Sequence, residues 1–537
     1  MTRMTGAQAL VRQLQSEGVD TIFGLPGVQI MAAFDALHEV RDGMNLVHVR
    51  HEQATTYMAD GYARATGKVG VGMAVPGPGA LNATAGLGTA FACSSPVLLI
   101  SGQIDSGSLG RRQGQLHEVD EQLDVFKPIT KWNHRVTRVE EIPEVVHEAF
   151  RQMRTGRPRP VELEIPPDTL GKKGTAHIIE PEEYHPKAAS PGDIAEAAQM
   201  LLEARRPAII AGGGSLISDA GDELAQVAEM IQAPIMTTQG SKGVISEVNP
   251  FHTGTNYIEV GPASEIIPDC DVLLAVGTRL LLKELERKTP RIIHVDVDPG
   301  EIGKNFSTEV RVIADAKVAM GQLAKQLKVM RCSKPSRLEE IAQYKRRTEA
   351  SVLKLAPNQV GIIQSMRDQL DDDAVVVAGV TNIGYWSNVA YEVRQPRSYV
   401  TSGYFGTLGY AFPTALGVKT AVPDKQVVAL CGDGGFMYSP QELSTAVQYG
   451  INIVAVVFNN NAFGASRWDQ THRYDGRFIG TGLANPDFMK LADSFGVLGI
   501  RTHSDGFGDA LGEALKAEAP VLLEVDVPVE MPPFQII

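Results

Sequence analysis

Val427-Val-Ala-Leu-Cys-Gly-Asp-Gly-Gly435, followed by Ser439-Pro-Gln-Glu442 and closed by Asn459-Asn-Asn461, says more about the fold than any other part of this 537-residue chain. The apolar run Val427 to Cys431 has the length and branching of a buried strand, and it enters Gly432-Asp433-Gly434-Gly435 without a spacer. Glycines at such a strand end let the main chain approach a phosphate closely, and an aspartate there can bind a hard cation. Ser439 to Glu442 reads as a capping box with proline at the first helical position. The expected helix carries Leu443, Ala446 and Val447 inward and stops at Gly450. A second apolar strand, Ile451 to Phe458, runs into the three asparagines.

Asp433 and Asn460 are 27 positions apart and fall at the carboxyl ends of two strands joined by one helix. Right-handed crossovers put both ends on one side of a sheet. A carboxylate (Asp433), an amide oxygen (Asn460) and a main-chain carbonyl (that of Ala462) leave room for two phosphate oxygens and a water, which is how Mg²⁺ is held with a diphosphate. Alone, the glycine-aspartate-glycine turn reads as a tight turn and the asparagines as a loop cap. Their spacing across one helix is what joins them.

The rest of the chain repeats the same alternation of short apolar runs and amphipathic segments. Helical periodicity covers Thr5 to Gly18 and Ile30 to Val40, and strand-like runs include Val69–Val75 and Val97–Ile100. A length of 537 residues exceeds what one core supports. The pattern predicts an α/β protein of three doubly wound parallel-sheet domains, about 1–170, 190–330 and 358–537. Residues 172–193 have linker composition, and the charge-rich stretch 331–357 predicts a helical connector. No charge falls between Lys68 and Asp105, but Pro76, Gly77, Pro78, Gly79, Asn82 and Pro96 break that stretch into strand, turn and helix rather than a membrane span. A net charge of -13 argues against nucleic acid or an anionic membrane as partner. Four scattered cysteines without a CxxC pair, and no apolar leader, point to a cytoplasmic protein with reduced thiols.

Four N-terminal blocks carry a resemblance. Gly24-Leu-Pro-Gly27, Arg50-His-Glu-Gln-Ala54, Asp60-Gly-Tyr-Ala-Arg64 and Gly77-Pro-Gly-Ala-Leu-Asn82 look like the pyrimidine-binding domain of the acetolactate synthase / pyruvate oxidase superfamily of thiamine-diphosphate enzymes. With the metal motif, the resemblance spans essentially the whole chain, the blocks standing in the family's order. It implies Glu52 as the acid that faces the cofactor's aminopyrimidine and activates it; by itself, such a glutamate is a helix-start carboxylate. It also implies cofactor contacts from Pro26, Asn82, Thr381, Asn382, Gly434 and Gly435. Gly406 would offer its carbonyl and Leu408 would prop the cofactor, although Leu408 also reads as a core leucine. In this family the glutamate and the metal site come from different subunits, which implies a homodimer or homotetramer.

The substrate is less legible. His117 stands in Gln115-Leu-His-Glu118 and reads either as a proton shuttle or as a surface histidine. Gln29 follows the Gly24–Gly27 turn, and Trp468 lies one place from the synthases' specificity tryptophan; both are candidate substrate contacts. Gly212-Gly-Gly214 is an incomplete dinucleotide fingerprint. The synthases' Arg-Phe-Asp-Asp-Arg-like run is absent at Gly277-Thr-Arg-Leu280, so FAD is possible but not favoured. The expected reaction is decarboxylation of a 2-oxo acid with carboligation to a second carbonyl. Simple decarboxylation, cleavage of a 2-hydroxyacyl-CoA or another acyl substrate, and a catalytically silent paralogue are the alternatives.

Overall fold

The computed structural model describes residues 2–534. It contains three six-stranded sheets, each wholly parallel, and one two-stranded antiparallel ribbon. The N-terminal sheet runs Asn45–His48, Thr21–Gly24, Gly70–Ala74, Val97–Gly102, Val161–Ile165, Trp132–Arg135. The C-terminal sheet has the same order of connection: Tyr399–Thr401, Val375–Ala378, Val427–Gly432, Val454–Asn459, Val521–Asp526, Leu498–His503. The central sheet differs, with His252–Asn256, Ile235–Thr238 and Pro207–Ala211 on one side of its switch point and Val272–Val276, Arg291–Asp296 and Val310–Ile313 on the other.

Helices cover both faces of these sheets, so many of the strands read as continuous apolar runs, while Val161–Ile165 buries Glu162 and Glu164 between its apolar residues. Val97–Gly102 and Val161–Ile165 are buried at every position. The charge-free stretch after Lys68 is such core: strand Gly70–Ala74, helices Pro78–Asn82 and Thr84–Cys93, then strand Val97–Gly102. Local caps fix the helices. Thr5 and Gln8 form a reciprocal capping box before helix Gly6–Ser16, and Gly67, at φ 75°, ends helix Glu52–Thr66 in the left-handed conformation.

Three expectations change. Part of the segment read as linker, Lys173–Ala176, is a strand paired with Thr2–Thr5. Ser439 makes no side-chain cap; a 3₁₀ turn, Pro440–Glu442, precedes helix Leu443–Tyr449. Glu442 turns away because its carboxylate accepts the N–H groups of Arg50 and His51 at 3.0–3.1 Å and the Thr445 hydroxyl at 2.6 Å. Val447 faces outward at 42 % exposure, while Leu443 and Ala446 are buried. Between residues 331 and 357 the connector is helix Leu338–Leu355, as its charge pattern predicts.

The N- and C-terminal sheets meet through helices Glu52–Thr66 and Ala411–Ala421, which cross at main-chain contact. A Cβ on Gly61 would lie 2.2 Å from the Thr414 carbonyl oxygen, and one on Gly417 would lie 2.0 Å from that of Met58. The crossing sets the start of helix Glu52–Thr66 beside the loops of the C-terminal sheet.

Candidate active site

In a doubly wound sheet, ligands bind beyond the carboxyl ends of the strands where the winding reverses. In the C-terminal sheet that point lies between Val375–Ala378 and Val427–Gly432; Thr381 follows the first strand after Gly379 and Val380, and Asp433 follows the second directly. Asp433 is buried, at 2 % exposure, and burial pushes its carboxyl above the usual carboxylate range. Hydrogen bonds partly offset this, foremost from Asn485, whose Nδ2 donates to Asp433 Oδ2 at 2.7 Å. The same amide donates to Asn459 Oδ1 at 3.0 Å, and Asn459 Nδ2 donates to Glu524 Oε1 at 2.8 Å. Asn460 Oδ1 accepts the N–H of Ala462 at 3.1 Å, fixing the bend after the strand. Asp433, Asn460 and Ala462 therefore share one loop cluster, as their spacing predicts.

The neighbouring loops close on this cluster. A Cβ on Gly432 would lie 3.2 Å from Thr381 Oγ1, and one on Gly435 would lie 3.8 Å from Leu408 Cδ2. Gly434 has no room for a side chain, since its Cβ would meet the Phe463 ring at 2.6 Å. Leu408 is half-buried rather than sealed in the core. Gly406 takes φ 61° with nothing near its Cβ position. Asn382 behaves differently from its neighbours. Its Nδ2 donates to the carbonyls of Glu530 and Met531 at 3.1 Å, and its Oδ1 accepts from Gln359 at 3.1 Å, so its side chain anchors the C-terminal segment.

A second cluster surrounds Glu52, the first residue of its helix. Asn82 Nδ2 donates to Glu52 Oε2 at 2.9 Å. A Cβ on Gly79 would lie 3.2 Å from Glu52 Oε1, and one on Gly27, after Pro26, would strike Val75 at 2.2 Å. Gln29 is buried and donates to the Leu116 carbonyl at 3.0 Å, which brings it beside His117. Gln29 Oε1 and His117 Nδ1 are both buried without a hydrogen-bond partner among the described residues. His117 itself holds φ 68°. Two unpartnered polar atoms on adjoining residues suit a ligand more than a surface histidine. Trp468 lies on helix Gly464–Arg473, which starts two residues after Ala462, and stacks on His472 at 4.1 Å.

Among the described residues, no hydrogen bond or ion pair joins the Glu52 cluster to the Asp433 cluster. Nor do the described residues hold a group of three His, Cys, Asp or Glu side chains fit for a metal. A set of one carboxylate, one amide and one carbonyl needs no such group. A hard cation beside a diphosphate fits it: the acid is single, buried and braced by Asn485, and the main chain around it is glycine.

Sequence reasoning passed over Asn485, Glu524 and Gln122, and read Glu442 only as a helix cap. Asn485 lies in Ala484-Asn-Pro-Asp487, which reads only as a turn. Glu524 carries a signal: a charge inside the otherwise apolar run Val521–Val525 demands a partner. At the central switch point a cavity of about 1520 Å³ is lined by Gly213, Gly214, Thr278 and Arg279, and by Arg64 and Cys93 from the N-terminal part. Gly212 and Gly214 face the main chain of Gly277, where added Cβ atoms would lie 2.3 Å and 2.9 Å away. Those glycines serve close packing.

Comparison with known proteins matches these three sheets to three families in order. Residues 4–125 match the N-terminal thiamine pyrophosphate binding domain of the thiamine pyrophosphate enzymes, 194–323 their central domain and 379–525 their C-terminal thiamine pyrophosphate binding domain. A probable acetolactate synthase large subunit of Methanocaldococcus jannaschii is 35 % identical over 97 % of this chain and 92 % of its own length. The acetolactate synthase large subunit of Haemophilus influenzae is 33 % identical over 100 % of this chain and 97 % of its own. A probable 2-ketoarginine decarboxylase of Pseudomonas aeruginosa is 35 % identical over 92 % of this chain and 88 % of its own. With all three domains matched and relatives aligned from end to end, the chain belongs to the thiamine pyrophosphate enzymes, in the group that includes the acetolactate synthase large subunits.

Proposed function

We propose that this protein uses thiamine diphosphate and Mg²⁺ to decarboxylate a 2-oxo acid and join the remaining fragment to a second carbonyl. The observation that carries it is the buried Asp433, braced by Asn485, beside Thr381, Leu408 and the glycines at 432, 434 and 435. Asp433, Asn460 and the Ala462 carbonyl would hold the cation, and it would hold the diphosphate. Thr381 and the main chain at the start of helix Asn382–Ala390 would bind phosphate oxygens, which suit a helix N-terminus. When bound, thiamine diphosphate supplies a carbanion that attacks a 2-oxo carbonyl and accepts the electrons released with CO₂.

Glu52 would hold a proton at the aminopyrimidine ring, with Asn82 fixing one of its oxygens and leaving the other to face Gly79. Gln29 and His117 present a buried acceptor and a ring nitrogen to the substrate, and His117 is suited to move a proton there. Glu52 takes its hydrogen bond from the N-terminal part and is not linked to Asp433, which supports a site completed by a second copy of the chain. Gly212–Gly214 is an incomplete dinucleotide fingerprint, which favours a reaction without flavin. No helix among the described residues is long and apolar enough to cross a membrane.

A second reading, decarboxylation without carboligation, is favoured by the relative named as a probable 2-ketoarginine decarboxylase. A panel of 2-oxo acids with thiamine diphosphate and Mg²⁺, scored for CO₂ and carbonyl products alongside a visible spectrum, separates the two. A 2-hydroxy ketone supports carboligation, and an aldehyde alone supports the second reading. Failure of every 2-oxo acid to release CO₂ sinks both.

A further inference from the structure

We propose that Gln122 is a positioning residue: it ties the Gly77 turn to a buried polar network and thereby holds Asn82 and Glu52 in register. The inference rests on Glu52 acting as the activating acid. Gln122 is completely buried, and all of its side-chain polar atoms are engaged. Its Oε1 accepts the Gly77 N–H at 2.8 Å. Its Nε2 faces Ser101 Oγ, the Gly102 carbonyl and Glu164 Oε2, each at 3.1 Å.

Gly77 is the residue before helix Pro78–Asn82, at φ 58° and ψ -115°, and a Cβ there would strike the His117 carbonyl oxygen at 2.5 Å. One glycine is thus held by Gln122 while its open side faces His117. The short helix that it starts presents Gly79 and Asn82 to the two oxygens of Glu52. A helix this short has little rigidity of its own. Its orientation depends on the tie at its first residue.

Behind Gln122 lie two acids on one strand. Glu164 accepts from Gln103 Nε2 at 2.7 Å and pairs with Arg135, which lies 3.7 Å from Glu121. Glu162 accepts the Ser101 hydroxyl at 2.6 Å, while its other oxygen is buried without a partner among the described residues. Burial, and then the nearby Glu164, push Glu162 well above the usual carboxylate range. A new acid at position 122 would contact Glu164, with Glu162 beyond Ser101, Arg135 paired to Glu164, and Glu121 paired to Arg135.

Two variants test this in the full chain. In Gln122→Met, hydrogen–deuterium exchange without cofactor should rise about tenfold in the peptide containing Gly77, and kcat should fall about tenfold with KM little changed. In Gln122→Glu, the protonated acid replaces the amide and the ionised one repels Glu164. Exchange at Gly77, taken relative to the intrinsic amide rate at each pH, and loss of kcat should therefore both grow more steeply with rising pH than in the unsubstituted protein. If Gln122→Met does not fold, the pH series on Gln122→Glu decides alone. Unchanged exchange at Gly77, faster exchange with full kcat, or a Gln122→Glu profile parallel to that of the unsubstituted protein each overturn the proposal. The role of Glu52 is read separately, by exchange of the cofactor's C2 proton in Glu52→Gln. That result leaves the Gly77 exchange measurement standing.

Discussion

Glu52 and Asp433 are both acids beside glycine, yet their surroundings assign them different work. Asp433 is buried and braced by the Asn485 amide, so its charge calls for a cation. Replacing it by alanine should weaken Mg²⁺-dependent binding of thiamine diphosphate by roughly 100-fold or more, beyond the 10–100-fold typical of losing an outer partner such as Asn485. Titrating cofactor fluorescence quenching against Mg²⁺ checks this, and a response like that of the unsubstituted protein would refute the metal role. Glu52 is half-buried, with one oxygen held by Asn82. Glu52→Gln keeps the shape and the hydrogen bond from Asn82 while removing the acid. Cofactor binding should persist, and C2 proton exchange should slow by roughly 10²–10⁴-fold, the range for a positioned acid–base group. Proton NMR of the bound cofactor in D₂O reads the rate directly.

At the scale of elements, the crossing of helices Glu52–Thr66 and Ala411–Ala421 relates the two thiamine pyrophosphate binding domains. Its tolerance for side chains at positions 61 and 417 is nil. Gly61→Val should cost about 1–3 kcal/mol, as overpacking usually does, unless the helices move apart. Calorimetry should show an earlier unfolding transition, and an unshifted one would mean that the contact is not retained in solution. In the sequence, Gly61 stands out only as part of the block Asp60–Arg64; the demand for glycine comes from the main chain of Thr414, more than 350 positions away. The same contrast runs through the site. Asp433 and Asn460 are legible because a strand, a helix and a strand fix their separation locally. Glu442 reads as a cap for the same local reason, and the structure overrules it because Arg50 and His51 offer buried N–H groups. Asn485 and Gln122 act through contacts that no spacing encodes. Glu162, Glu164 and Glu524 fall between: a charge in an apolar strand announces a buried partner without naming it.

The whole molecule is three sheets whose joints are polar as well as apolar. Between the central and C-terminal parts, Lys242 pairs with Glu247 at 2.7 Å, Glu247 also accepts the Val393 N–H at 3.2 Å, and Lys242 sits over the Tyr399 ring. His252, 3.9 Å from Glu247, is pushed down to about 4 by burial. A histidine kept neutral in the folded state supports it fully above pH 6.5, and that support is lost as pH falls from 6.5 towards 4, where only the unfolded chain takes up the proton. The loss should reach about 3 kcal/mol at most, and His252→Gln should flatten the melting temperature across that window. The helix crossing at Gly61 and Gly417 holds the N- and C-terminal parts in one arrangement, in which no hydrogen bond links Glu52 to Asp433 among the described residues, and the proposed dimer can be tested on that basis. If each site takes Glu52 from one copy and Asp433 from the other, Glu52→Gln and Asp433→Ala are individually dead but complementary. Unfolding and refolding an equal mixture should give half the dimers mixed, each with one intact site and one doubly damaged site. Activity should then return to about a quarter of the unsubstituted level, as random pairing in a two-fold assembly requires. A site built within one chain predicts none, because each chain would carry its own lesion.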